Sequence, residues 1–279
     1  MEIRRVGHIG LYTRDLDAGL RWYQEILGLE VTERAGGTAY LSCDATHHGL
    51  ILYEGDPPGA HHFGFEAPDE RAVERAAQEL RSAGVEPVEV AVPGQGRTIA
   101  FQDPEGYSVW IYCGMRRRYD GTRFPVWAPR KFGHITAKVT DIHEQVEFYG
   151  KVLGFRVSDW MASVMVWMRC SPDHHGVAWI QADRASLHHL AWEVQDWSAL
   201  RALADHMLNQ GVRLMYGPGR HGPGFNLFLY VRSPDGILNE LFADMLQIWN
   251  DDEYTPRVWE DRPETINQWG PAPPPEFLE

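Results

Sequence analysis

The sequence is short of cysteine, of positive charge and of long apolar runs. Its three cysteines, Cys43, Cys113 and Cys170, are odd in number and lack the close spacing of a zinc site. They read as small core hydrophobes rather than as ligands. Lysine and arginine number 26 against 39 aspartates and glutamates, a formal charge of −13. That balance argues against nucleic acid as a partner, because phosphate binding depends on Lys and Arg displacing counterions. The one basic run, GMRRRYDGTR from Gly114, reads as a solvated connection between domains. No stretch reaches the ~20 apolar residues that span a bilayer, and the opening MEIRRVGHIG has no apolar segment behind its charges. A soluble, cytoplasmic protein without membrane contact is expected.

What the sequence does have is itself, twice. GHIGLYTRDLDAGLRWYQEILGLEV near the start is matched by GHITAKVTDIHEQVEFYGKVLGFRV, so that His8 pairs with His134, Asp15 with Asp141, Tyr23 with Tyr149 and Gly28 with Gly154 at an offset of 126. His48 then pairs with His175, His62 with His189 and Gly84 with Gly211 at 127, and AFQDPEGYSVWIY faces LYVRSPDGILNELF. So many matches in one order identify a duplication. Each half divides again: an alternating strand leads through an Asp into an amphipathic helix that stops at a Gly, and short β-rich segments follow. Four such units, each one strand, one helix and about three further strands, make an α+β plan. Past residue 246 the composition shifts to a Pro- and Trp-containing segment expected to lie over the surface.

The copies differ in polar groups. His134, His189 and Glu240 fall on predicted strands among apolar neighbours, and buried imidazoles and carboxylates need partners. Their counterparts are His8, His62 and Trp110, so the first copy has no carboxylate to complete a site. Taken singly, each of the three is an ordinary core histidine or strand-end glutamate. At homologous positions of paired modules they form a two-histidine, one-carboxylate set, which suits Fe, Mn or Zn with open positions. His175, His221 and Tyr230 are candidates beside it; counting back 19 and 10 from Trp110, as His221 and Tyr230 lie before Glu240, gives only Ala91 and Ala100.

On GHITAKV, LHHLAWEV, HHGVAW and SPDGILNELF the sequence resembles the type I extradiol ring-cleaving dioxygenases of the vicinal oxygen chelate superfamily, over nearly the whole chain, including a tail of the INQWGP kind. The resemblance implies four βαβββ modules paired into two tandem vicinal-oxygen-chelate domains. These would be a degenerate domain at 1–115, a linker at 116–130, a metal-binding catalytic domain at 131–246 and a tail at 247–279 packed on the surface. It implies Fe(II), occasionally Mn(II), held by His134, His189 and Glu240, with His175 as the acid–base residue and His221 and Tyr230 on the substrate side. The expected partners are a catechol-type molecule and O2, the expected product a muconic semialdehyde, and the expected assembly a homo-oligomer. His48, His61 and His62 then read as structural remnants. Two other classes use the same scaffold: glyoxalase- or epimerase-like metalloenzymes, whose sites combine ligands from both copies, and non-catalytic binders of the bleomycin-sequestering kind, which lack a complete triad.

Overall fold

The computed structural model describes residues 1–278. Four modules follow one another in the chain. The first is β1 (Arg5–Thr13), α1 (Leu16–Glu25), β2 (Glu30–Ala35), β3 (Thr38–Ser42) and β4 (Leu50–Glu54). The second is β5 (Gly59–Glu66), α2 (Glu70–Ser82), β6 (Val88–Glu89), β7 (Thr98–Gln102) and β8 (Ser108–Tyr112). The third is β9 (Lys131–Val139), α3 (Ile142–Lys151), β10 (Arg156–Met161), β11 (Met165–Arg169) and β12 (Val177–Gln181). The fourth is β13 (Ser186–Glu193), α4 (Trp197–Asn209), β14 (Tyr216–Arg220), β15 (Leu227–Arg232) and β16 (Leu238–Ala243).

The helices begin where an aspartate side chain accepts a first-turn N–H: Asp15 from Ala18, Asp69 from Ala72, Asp141 from His143 and Glu144, and Asp196 from Ala199. Just past their ends Gly28, Gly84, Gly154 and Gly211 take positive φ, where a side chain would be strained. Modules pair through their first strands. β1 and β5 run antiparallel at the centre of a sheet ordered β2-β3-β4-β1-β5-β8-β7-β6; β9 and β13 do the same in β14-β15-β16-β13-β9-β12-β11-β10. A ninth strand, β17 (Arg257–Trp259), joins the free edge of β10 in parallel. The segment past residue 246 therefore adds to the second sheet, and its short helices α5 (Pro263–Ile266) and α6 (Pro275–Leu278) follow.

One apolar core runs through both halves, from Ile9 and Phe65 to Tyr149 and Trp179. Polar contacts reinforce the junction. Glu105 accepts the Thr140 and Asp141 N–H groups ahead of α3 at 2.8 and 2.7 Å, and buried Asp103 accepts from Gln145 Nε2 at 2.7 Å and Tyr149 Oη at 3.2 Å.

Candidate metal centre

Cross-strand register brings the candidate residues together. Ala191 on β13 is paired with His134 on one side and Glu240 on the other, and Glu240 is paired in turn with Tyr230. Residues in register share a face of the sheet, so His134, Ala191, Glu240 and Tyr230 form one row. His189, two residues from Ala191, faces the same way. Ala191 contributes only a methyl group between the imidazole and the carboxylate, which leaves room for an ion.

His134 Nε2 lies 3.1 Å and His189 Nε2 3.2 Å from Glu240 Oε2. Two ligand atoms each about 2.1 Å from a common ion and at right angles sit about 3 Å apart, so the spacing fits a first-row divalent metal. His189 Nε2 is buried without a hydrogen bond, as a nitrogen kept for a metal would be. The three side chains are the one group of this kind among the described residues. Burial pulls the His189 ring down to about 4 against the attraction of Glu240. Burial also pushes the Glu240 carboxyl up, but the neighbouring His134, His189 and His221 rings outweigh it and hold the group well below its ordinary value. An ionised carboxylate and a neutral imidazole are the protonation states that bind metal.

The triad, His175, His221 and Tyr230 all line one cavity of about 410 Å³. The His175 and His134 rings are 4.3 Å apart. Burial, with His134 and His174 adding to it, lowers the His175 ring well below the usual imidazole value. Tyr230 Oη donates to Glu240 Oε2 at 2.9 Å and meets His221 Nε2 at 3.0 Å; burial and then Glu240 push its phenol well above the ordinary value, so it remains a donor. His221 Nδ1 donates to the Ile266 carbonyl at 2.6 Å. Beyond these groups the wall is largely apolar: Met161, Met165, Trp167, Ile180, Ile266 and Phe277. Ile266 and Phe277 belong to the segment past residue 246, which closes one side of the cavity as well as extending the sheet.

Sequence reasoning missed three contributors. Asn226, fully buried, donates Nδ2–H to Glu240 Oε1 at 2.9 Å. Asp159 accepts from His174 Nε2, and the Phe277 carbonyl meets His188 Nε2. Nothing periodic marks them; the one signal was the doubling of the histidines.

The first copy shows the same rows without the chemistry. Gly64 stands between His8 and Trp110 as Ala191 stands between His134 and Glu240. Trp110 lies flat on His62, with ring centroids 3.5 Å apart, and fills the space that Glu240 leaves open in the second copy.

Paired βαβββ modules repeated in tandem, with a two-histidine, one-carboxylate cluster on the open face of the second sheet, define the class. A sequence model of the Glyoxalase/Bleomycin resistance protein/Dioxygenase superfamily matches residues 5–111 and 131–241, and the chain belongs to that superfamily. It is 28% identical over 288 aligned positions to a manganese-dependent 2,3-dihydroxybiphenyl 1,2-dioxygenase of Geobacillus genomosp. 3, covering 93% of this chain and 91% of the relative. It is 25% identical to an iron-dependent extradiol dioxygenase of Rhodococcus jostii (strain RHA1), covering 97% of each. Among solved structures, the Mn(II)-bound glyoxalase from Novosphingobium aromaticivorans superposes with a TM-score of 0.91 at 25% identity, over 99% of this chain and 94% of the other.

Proposed function

We propose that this protein is an extradiol dioxygenase that opens the ring of a catechol with O2 to give a muconic semialdehyde. Fe(II) is the proposed resident ion, with Mn(II) as the alternative. The observation that carries the reading is that His134, His189 and Glu240 share one cavity with His175, His221 and Tyr230, all supplied by the second copy. The dioxygenase relatives support it, and both iron- and manganese-dependent forms occur among them.

His134, His189 and Glu240 would hold the ion. When bound, it supplies Lewis acidity to the two catechol oxygens and a redox-active centre for O2. The protein's own groups then have distinct tasks. His175 takes a proton from the catechol and returns one when the O–O bond breaks, the work of a ring that exchanges protons within the cavity. Tyr230 and His221 orient the substrate oxygens by hydrogen bonding. Asn226 fixes the Glu240 carboxylate through its second oxygen. Met161, Met165 and Trp167 keep water from the ring and accept an uncharged substituent. All four oxygen atoms of catechol and O2 remain in the product, so no external reductant is needed.

The test is to load the protein anaerobically with Fe(II) or, separately, Mn(II), add a panel of catechols, admit air and follow O2 uptake with the visible spectrum. A yellow product formed with matching oxygen consumption supports the reading, and the more active ion identifies the metal. The likeness to a Mn(II)-bound glyoxalase favours a second reading, metal-assisted chemistry without oxygen. Turnover of a carbonyl substrate under nitrogen, with no oxygen uptake on any catechol, would favour that reading instead.

A further inference from the structure

Histidines stand in adjacent pairs at 47/48, 61/62, 174/175 and 188/189, and in every pair the two rings meet Nδ1 to Nδ1, at 2.8, 2.9, 3.1 and 2.7 Å. One such contact holds one proton, so one ring donates and the other accepts. The far nitrogen of the first ring decides which.

His174 Nε2 is 3.2 Å from Asp159 Oδ2. The Asp159 oxygens also accept from Tyr254 Oη at 3.0 Å, Arg257 N–H at 2.8 Å and Trp259 Nε1 at 2.8 Å. With every neighbour a donor, the carboxylate accepts from His174 too, which puts the His174 proton on Nε2. Burial lowers the His174 ring below its ordinary value against the pull of Asp159, so it keeps a single proton and its Nδ1 is bare. His175 must therefore donate Nδ1–H to it, and its cavity-side Nε2 carries no proton. His188 follows the same rule. Its Nε2 donates to the Phe277 carbonyl at 2.8 Å, its Nδ1 accepts from His189, and His189 Nε2 is left bare beside Glu240.

The first copy provides an internal check. Glu33 Oε2 lies 3.1 Å from His47 Nε2, and the chain passes through His47 to His48. Gln95 Oε1 accepts the Thr98 hydroxyl, which turns its NH2 to His48 Nε2 at 2.9 Å. An amide nitrogen only donates, so His48 Nε2 must be bare, as the chain from Glu33 requires.

We propose that His174 and His188 are positioning residues that set the tautomers of His175 and His189, making one a base and the other a metal ligand, and that the chain past residue 246 holds both in that state. The anchors are Tyr254, Arg257 and Trp259 on Asp159, and the Phe277 carbonyl on His188. The use of His175 as a base rests on the dioxygenase reading; the tautomers do not.

The test is two-bond proton–nitrogen correlation NMR of the full-length protein labelled with 15N-histidine and loaded with diamagnetic Zn(II). His175 is expected protonated at Nδ1 and bare at Nε2, and His174 protonated at Nε2; a proton on His175 Nε2 would overturn the proposal. Asp159→Asn combined with Trp259→Phe leaves His174 as the sole partner of the new NH2 group and should reverse the chain. The expected result is a His175 proton moved to Nε2, with metal content and KM kept and kcat lowered about 10²- to 10⁴-fold, the range of an acid–base residue. An unmoved His175 proton in that variant would also overturn the proposal. Because the spectra are recorded without catechol or O2, failure of the dioxygenase reading would show in turnover alone.

Discussion

His62 and Trp110 lie face to face, 3.5 Å apart with ring planes 9° from parallel, at the positions where the second copy sets His189 against Glu240. The residue at the carboxylate position thus plugs one site and leaves the other open. An indole stacked on an imidazole is an apolar contact, whereas a carboxylate 3.2 Å from an imidazole invites a cation between them.

If His175 is the proton carrier, His175→Phe should retain the metal and bind catechol while kcat falls about 10²- to 10⁴-fold. Metal analysis, a catechol-binding titration and initial rates check this together. Unchanged turnover would remove His175 from the reaction.

Asn226→Ala should weaken metal binding about 10- to 100-fold, the cost of losing a partner that orients a ligand. Its hydrogen bond is the one that Glu240 Oε1 receives at 2.9 Å inside the core. Competition with a chelator gives the affinity, and a variant that holds metal as the parent does would show that Glu240 needs no such support.

The cavity wall predicts substrate preference. Burying an uncharged substituent against Met161, Met165, Trp167 and Ile180 gains about 0.8 kcal/mol per CH2, whereas a buried carboxylate needs a partner. Arg262, the cationic lining residue, is already paired with Glu260 at 3.3 Å and largely exposed. A catechol with an alkyl or aryl group should therefore exceed a carboxylated one by at least about tenfold in kcat/KM, a difference of about 1.4 kcal/mol. Equal or reversed values would contradict the apolar assignment.

Burial pushes the Asp103 carboxyl up to about 6, with Gln145, Tyr107 and Tyr149 opposing it. Between about pH 4, where the unfolded side chain titrates, and pH 6 the folded protein holds a proton that the unfolded chain has lost. The contribution is therefore present below that window and is lost as pH rises through it, by about 3 kcal/mol from the difference in pKa. Asp103→Asn removes the titration. Urea unfolding should show the parent losing about that much relative to the variant between pH 4 and pH 7.5; a constant gap would contradict the assignment.

The modules and the triad were legible in the sequence because strand alternation, Asp caps and Gly stops repeat at a fixed offset, and because His134, His189 and Glu240 sit at matching strand positions. The partners of those residues were not. Asp159 reaches Trp259 across 100 positions and His188 reaches Phe277 across 89, and contacts set by chain folding leave no period to read. The segment past residue 246 looked like surface covering from its composition. Its strand β17 and the Ile266 and Phe277 contacts follow from the free edge of β10 and the open cavity, which only the folded sheet supplies.

One copy of the duplicated fold is expected to bind metal and the other is not. Equilibrium dialysis against Fe(II) under nitrogen, followed by elemental analysis, tests it directly. One ion per chain is expected, lost in Glu240→Gln and kept in His62→Gln; two ions per chain, or metal retained without Glu240, would contradict this assignment.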